Sequence, residues 1–239
     1  SFFAGQHITI KATINGKEIR RAYSICASPK STELKVAIKV VEDGLFSVFA
    51  TTKLKVGDIL EVAEPDGKFI LNPEANKNYI AFAAGSGITP VLSMIKAVLE
   101  TENASTFTLI YGNKSTESTI FKSELEALLE QHPNNFNLHY VFSRERISDS
   151  KFGRIDKGIT NYFVKNIHKE ITFDAAFLCG PEEMIHIISD TLKENNFAEN
   201  TIHFELFTAS TEESSIEIEE GKTEITVLLD DEETTFTMN

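Results

Sequence analysis

Cysteine is scarce in this chain of 239 residues: there are two, Cys26 and Cys179. That far apart, they exclude a disulfide-stapled scaffold and cannot by themselves supply a four-ligand metal site. Two free thiols suit a reducing cytoplasm. Long apolar runs are missing. None approaches the roughly 18 residues of a membrane span, so no membrane association is expected. The N-terminal "SFFAGQHITI" has neither the basic start nor the long apolar stretch of a signal peptide. It begins in what reads as a strand, so residues before Ser1 are expected. Positive charge is also short, with 23 Lys and Arg against 36 Asp and Glu and a net charge of −13. Nucleic acid binding needs a basic face and is disfavoured. The excess acid is uneven: residues 211–239 hold ten acids and one lysine, whereas residues 1–78 hold eleven bases and nine acids. The contrast reads either as docking between modules or as a solvated acidic surface. At 41% hydrophobic the chain can bury a normal core, and its length fits one or two domains.

What is present changes character near residue 75. In the first 72 residues apolar positions fall two apart, at Ile8, Ile10, Ala12 and Ile14, and again at Leu34, Val36, Ile38 and Val40. That period marks half-buried strands. Asn15-Gly16, Asp43-Gly44, Gly57-Asp58 and Asp66-Gly67 punctuate them as turns. Short strands at regular spacing predict a small antiparallel barrel over 1–73, its first strand incomplete. "NPEANKN", 72–78, reads as a linker. From Tyr79, strand-like runs alternate with helical ones. "YIAFAAG" precedes a helix over 90–101, "TFTLIYG" one over about 118–131, "FNLHYVFS" one near 160–168, "AAFLCG" one over 181–195, and "IHFELF" closes the series. Phe121, Leu125 and Leu128, and later Met184, Ile188 and Leu192, form apolar helix faces. Alternation of this kind predicts a parallel sheet with crossover helices over 79–208. Residues 209–222 read as a polar acidic linker. "KTEITVLLDDEETTFTMN" reads as a hairpin around Asp230-Asp231 without a core of its own.

The turn after "YIAFAA" holds Gly85, Ser86 and Gly87, then Ile88, Thr89 and Pro90. Thr89 is expected as an N-cap and Pro90 at the first helical position. Free backbone N–H groups and the positive end of a helix dipole would then face an anion at the carboxyl end of a strand. Glycine would let the backbone come close to it. The pattern is not GxGxxG, because Pro90 stands where the third glycine would. A lone Gly-x-Gly turn is as often structural, so other stretches have to decide what it binds.

Three of them bear on it. "RAYSICASP", 21–29, puts Arg21, Tyr23 and Ser24 on one strand. These could clamp a phosphate, stack on a planar ring and hydrogen-bond a ring nitrogen, although alone they read as ordinary surface groups. "FLCGPEEM", 177–184, again ends a strand in glycine and opens a helix at Pro181, which puts Cys179 at the carboxyl edge of the sheet. Alone, Cys179 reads equally as a buried cysteine. "HFELF", 203–207, sets Glu205 in an apolar strand, where a solvent-facing glutamate is the plain alternative.

Taken in order, these stretches resemble the ferredoxin–NADP reductase superfamily. "RAYS" matches its Arg-x-Tyr-Ser flavin motif, "GLFSVF" resembles its Gly-x-x-Ser segment, and "PDGKF" matches the loop closing the flavin barrel. "GSGITP" matches its nicotinamide-nucleotide loop, "YGNKSTESTIFKSELEAL" the strand and helix after it, and "CGPEEM" its Cys-Gly-Pro-x-x-Met motif. The resemblance spans residues 2 to about 208. It implies a Greek-key barrel followed by a parallel-sheet nucleotide domain. "ITVLLDDEETTF" resembles the first hairpin of a plant-type [2Fe–2S] ferredoxin domain, a fusion found in reductase components of bacterial ring oxygenases such as the phenylacetyl-coenzyme A system. That cluster needs four cysteines in C-x4-C-x2-C…C spacing. None follows Cys179, so this chain is expected to hold no metal, and the gene is expected to continue past Asn239.

The resemblance implies roles residue by residue. FAD is implied over FMN. Arg21 would pair with its diphosphate, Tyr23 would stack on the isoalloxazine, and Ser24 would lie near flavin N5. Ile38, Lys39 and Val40 would border the flavin, Gly44 and Ser47 would lie at the diphosphate, and Thr89 and Phe207 would also contact it, Phe207 covering the flavin face. For NADP, Gly85, Gly87, Thr89, Asn113, Gly180, Pro181 and Met184 would line the nucleotide. Ser24, Cys179 and Glu205 would flank the reacting centre as positioning groups, and a hydride would pass from nicotinamide C4 to flavin N5. Ser143 and Arg144, in "FSRER", match the pair that meets the 2′-phosphate in NADP users. A surface charge cluster is the plain alternative there, and Glu145 stands beside them. Lys114 replaces an arginine common in relatives and keeps the charge. The implied partners are a [2Fe–2S] domain in cis and an oxygenase in trans. The alternatives are a reductase feeding haem or a free ferredoxin, and a flavin subunit without its own nicotinamide reaction.

Overall fold

Asn15 and Gly16 turn the chain back on itself with φ of 52° and 79°, the positive pair that a two-residue hairpin needs. They join β1 (His7–Ile14) to β2 (Lys17–Ser24), antiparallel, with His7 opposite Ser24 and Ile14 opposite Lys17. The computed structural model describes residues 1–101 and 104–207 and, further on, the strands 223–229 and 232–238. After β2 come α1 (Leu45–Thr52) and β3 (Glu61–Val62), giving a small sheet of order β2-β1-β3. Ile8, Ile10 and Ile19 pack its inner face with Ile25, Ala27 and Phe46.

The alternating stretch Leu34–Val40 does not form the expected strand: only Val36 bridges, to Ile25. Val36 and Ile38 pack against the small-sheet core while Leu34 and Val40 are exposed, so only the middle of the segment is held.

The second sheet follows from β4 (Asn78–Ala84), α2 (Ile88–Leu99), β5 (Thr106–Asn113), α3 (Lys122–Gln131), β6 (Phe136–Phe142), β7 (Lys151–Phe152), α4 (Lys157–Asn161), β8 (Ala175–Gly180), α5 (Glu182–Glu194) and β9 (Ile202–Leu206). All six strands are parallel, in the order β7-β6-β5-β4-β8-β9. Central β4 is buried on both faces, which explains its unbroken apolar sequence. On one face Ala81 and Ala83 meet Ile88, Val91, Leu92 and Ile95 of α2. On the other, Ile80 and Phe82 meet Ile185, Ile188 and Leu192 of α5. Ala4, Cys26, Phe69 and Leu71, from the N-terminal part, belong to the same core as α2. Ser1–Phe207 form one compact unit.

Three helix boundaries besides that of α2 differ from the sequence reading. The helix expected from residue 118 starts at Lys122, and Phe121 caps it with a φ of 60°, where a bulky side chain is strained. The segment expected near 160–168 is α4 followed by a π-helical turn, Tyr162–Ile167. Asp156 begins it by accepting from the Ile159 N–H at 2.8 Å. Pro181 is the N-cap of α5, one residue outside the helix it was expected to open.

The second unit, Thr208–Asn239, contains the hairpin of β10 (Thr223–Leu229) and β11 (Glu232–Met238), paired antiparallel from Thr223–Met238 to Leu229–Glu232. The linker 209–222 and Asp230-Asp231 lie outside the described residues.

Candidate active site

In the parallel sheet β5, β6 and β7 lie to one side of β4, and β8 and β9 to the other. The chain changes direction between β4 and β8, so their carboxyl ends leave a crevice there, the usual ligand position in an open α/β sheet. The loops 85–87 and 180–181 leave those two strands.

The first of these is built tighter than its sequence suggests. Gly85–Gly87 make a 3-10 turn that runs directly into α2, and Gly87, rather than Thr89, occupies the N-cap position. Thr89 is buried inside the first turn, and its hydroxyl donates to the Ser86 carbonyl at 3.0 Å. Pro90 is the third helical residue. The 3-10 turn has moved the helix start back, so no side chain caps it. Gly85 sits at φ 55°, and a Cβ there would meet nothing within 4 Å. The Tyr111 hydroxyl donates to its carbonyl at 2.8 Å and holds the loop from below. Gly87 is needed for a different reason: a Cβ would lie 2.6 Å from the Cys179 carbonyl carbon. Gly180 sits at φ 159°, and a Cβ there would lie 2.7 Å from Met184 Cε, so the Met184 side chain would have to shift.

Ala83, Cys179 and Glu205 stand in register across β4, β8 and β9 and therefore share a face. Cys179 is fully buried, and burial first, with the Glu205 charge second, pushes its thiol far above the ordinary range. It is no nucleophile at neutral pH. Burial pushes the Glu205 carboxyl up to about 7, and the Ser24 hydroxyl beside it pulls it partly back. Glu205 Oε2 is buried without a hydrogen-bond partner. Ser24, at the end of β2, is itself buried. The structure thus brings Ser24, Cys179 and Glu205 together from both sheets. Phe207, just past β9, packs partly buried against the same core.

The remaining N-terminal residues form a second group. The Tyr23 ring lies 5.5 Å from that of Phe46, and Arg21 Nη1 donates to the Arg20 carbonyl at 2.8 Å. Among the described residues Arg21 makes no ion pair. Gly44 is the N-cap of α1. Buried Ser47 Oγ accepts from the Val41 N–H at 3.1 Å and folds the loop against the helix start. A Cβ on Gly44 would lie 2.6 Å from that hydroxyl. Ile38, Lys39 and Val40 run through the unpaired segment, with Lys39 and Val40 exposed.

A third group leaves β5 and β6. The Ser143 N–H donates to the Asn113 carbonyl at 3.0 Å, and the Arg144 N–H to that of Lys114 at 2.9 Å. Arg144 is exposed. Glu145 is committed elsewhere: its carboxylate accepts from the Thr116 N–H at 2.6 Å, which holds it below its ordinary range. The Thr116 side chain lies beside the Glu145 carboxylate and the Asn113 side chain beside the Tyr111 hydroxyl, so both have polar neighbours within the chain. Sequence reasoning missed Thr116, whose only signal was its place three residues after Asn113 in "YGNKST". The open space over Gly85 leaves room for a ligand at the start of α2.

Among the described residues no helix is long and apolar enough to cross a membrane, and no three His, Cys, Asp or Glu side chains gather as metal ligands.

Comparison with known proteins agrees with this geometry. The oxidoreductase FAD-binding domain family matches residues 1–70, and the oxidoreductase NAD-binding domain family residues 82–190. A subunit of the 1,2-phenylacetyl-CoA epoxidase of Escherichia coli is 41% identical over 209 residues, 86% of this chain and 59% of that protein. NADH-cytochrome b5 reductase 1 of Dictyostelium discoideum is 32% identical over 201 residues, 83% of this chain and 68% of that one. The chain thus spans about three-fifths of the first relative's length. Among solved structures, ferredoxin-NADP+ reductase from Plasmodium falciparum with 2'P-AMP superposes with a TM-score of 0.71 at 27% identity, over 87% of this chain and 84% of that one. The flavohem-like FAD/NAD binding domain of nitric oxide dioxygenase from Vibrio cholerae superposes with 0.73 at 24% identity, over 86% and 85%. With an oxidoreductase FAD-binding domain and an oxidoreductase NAD-binding domain in order along one compact unit, the chain belongs to the ferredoxin–NADP reductase superfamily.

Proposed function

We propose that this protein moves electrons from NADPH through FAD to a [2Fe–2S] centre that serves an oxygenase. One observation carries the reading: the buried, half-unpartnered carboxyl of Glu205 meets Ser24 of the small sheet beside the β4–β8 crevice. A polar group left open where the two sheets meet is suited to a reacting ring pair. FAD bound there would accept a hydride at N5 from nicotinamide C4 and pass the electrons on one at a time.

The chain's own residues do the positioning. Tyr23 offers a ring face, Arg21 a guanidinium that makes no ion pair among the described residues, and the α1 start with Gly44 and Ser47 a cradle for the diphosphate. Gly85, Gly87 and Thr89 shape the nucleotide loop. Cys179, held neutral by burial, and Gly180 with Pro181 and Met184 wall the nicotinamide side. Phe207, partly buried against the same core, would cover the flavin face and give way when the nicotinamide binds. Ser143 and Arg144 favour NADPH, and the engagement of Glu145 with Thr116 leaves Arg144 without a competing acid. The relatives named NADH-cytochrome b5 reductase favour NADH as the second reading.

The acceptor follows from two supports. The similarity to part of an epoxidase favours an oxygenase partner. The β10–β11 hairpin resembles the opening of a plant-type ferredoxin domain, which we propose continues from it in cis. The two buried free thiols suit a cytoplasmic setting.

The test mixes the FAD-loaded chain anaerobically with NADPH and with NADH. Flavin bleaching within seconds, with ferricyanide reduced in turnover, is expected. Oxygenase turnover should require an added [2Fe–2S] domain. A flavin that neither nucleotide reduces would overturn the hydride reading, and oxygenase turnover without the cluster would overturn the relay.

A further inference from the structure

Apolar contact holds the small sheet against α2, through Ala4, Cys26, Phe69 and Leu71. Such contact is non-directional and does not by itself fix how far one surface slides along another. Hydrogen bonds do. One face of α2 carries a row of them to the segment that follows Ser24. Ser93 Oγ donates to the Ala27 carbonyl at 2.7 Å. Lys96 Nζ donates to the Cys26 carbonyl at 3.0 Å while pairing with Glu124 Oε1 of α3 at 2.7 Å. Past the helix end, Glu100 takes the Ser28 hydroxyl on its carboxylate and Lys30 Nζ on its carbonyl. The Lys96 side chain is 12% exposed. Taking away one partner of a cation so buried leaves its charge uncompensated, which is costly.

The placement gives this row its consequence. α2 starts at the Gly85–Gly87 loop, and Lys96 lies eight residues along, about 12 Å at 1.5 Å per residue. Cys26 lies two residues after Ser24. A rigid helix therefore connects the nucleotide loop at one end to the flavin-side strand at the other. We propose that Lys96 is a positioning residue for hydride transfer: by tying Cys26 to α2 and α3 it sets the distance between the Ser24 side of the site and the Gly85–Gly87 loop. It touches neither cofactor. Transfer of a hydride depends steeply on that distance, and a displacement of about 1 Å can cost a hundredfold in rate.

The test replaces the ammonium and keeps the stem, as Lys96→Met, with Lys96→Arg as the conservative control. In the flavin-loaded chain, the single-turnover rate of flavin reduction should fall about tenfold or more. FAD content and the concentration of NADPH needed for half-maximal rate should stay within twofold, and the long-wavelength charge-transfer absorbance should weaken. Lys96→Arg should restore most of the rate. In the flavin-free chain, hydrogen exchange at the amides of 26–28, 30 and 31 should quicken severalfold in Lys96→Met while β4 and β5 are unchanged. Should Lys96→Met fail to fold, Ser93→Ala reads the same two ways, with a smaller loss. An unchanged reduction rate, or unchanged exchange at those amides, in a folded variant overturns the proposal.

Discussion

The Cys179 carbonyl occupies the place that a side chain on Gly87 would need, with a Cβ there only 2.6 Å from the carbonyl carbon. The loop that opens α2 and the loop that follows β8 are thus in backbone contact across the switch point. Gly87→Ala should destabilise the protein by about 1–3 kcal/mol through overpacking and should slow flavin reduction by spreading the crevice. Denaturant unfolding and stopped-flow reduction measure the two effects. A variant with both unchanged would mean that the loops separate freely.

Glu205 should make stability depend on pH. Its carboxyl is raised by burial from 4.5 to about 7 in the folded chain, so the folded state holds the proton longer than the unfolded one. Its contribution is therefore largest below about 4.5 and is lost as pH rises through about 7. Glu205→Gln should remove that fall: in the flavin-free chain its Tm should exceed that of the native protein at pH 8 and approach it at pH 4. Parallel Tm curves at all pH values would place the Glu205 titration elsewhere.

The opposite slope is expected from His139. Its Nε2 lies 2.8 Å from that of His168, and burial, followed by the His168 charge, lowers it from 6.5 to about 4. A depressed histidine contributes stability above its unfolded value that is lost as pH falls through the folded one. Stability should thus fall as pH drops from about 6.5 towards 4, and His139→Asn should flatten that fall. NMR titration of the two rings checks it directly, and a His139 titrating near 6.5 would contradict it.

Tyr23→Ala should weaken FAD retention by about tenfold, since stacking of a flat ring on an aromatic side chain contributes about 1–3 kcal/mol. Fluorescence of released FAD against protein concentration gives the change. Retention equal to that of the native chain would remove Tyr23 from the flavin site.

Arg144→Ala should raise KM for NADPH about tenfold while changing KM for NADH little, because only NADPH carries the 2′-phosphate. Equal effects on both nucleotides would show that Arg144 does not read that phosphate.

The sequence by itself determined the period change near Tyr79, the order of parallel strands and crossover helices, and the motifs that identify the superfamily. These are local signals: apolar spacing of two or of three to four, glycines at strand ends, short strings of fixed residue types. Asn15-Gly16 behaves as its own conformational preference dictates wherever it is placed. Only the tertiary structure decided the rest. Thr89 had the chemistry of an N-cap, but the 3-10 turn at Gly85–Gly87 started the helix before it and left it buried. Leu34–Val40 had the spacing of a strand, but only Val36 and Ile38 reached the small-sheet core, and one bridge was all the segment formed. Glu205 could have faced solvent as readily as a site. Its burial beside Ser24, 181 positions earlier in the chain, came from the packing of one sheet on the other. Spacing along a chain reports which face a residue takes. What lies against that face depends on contacts between distant segments, which no local pattern encodes.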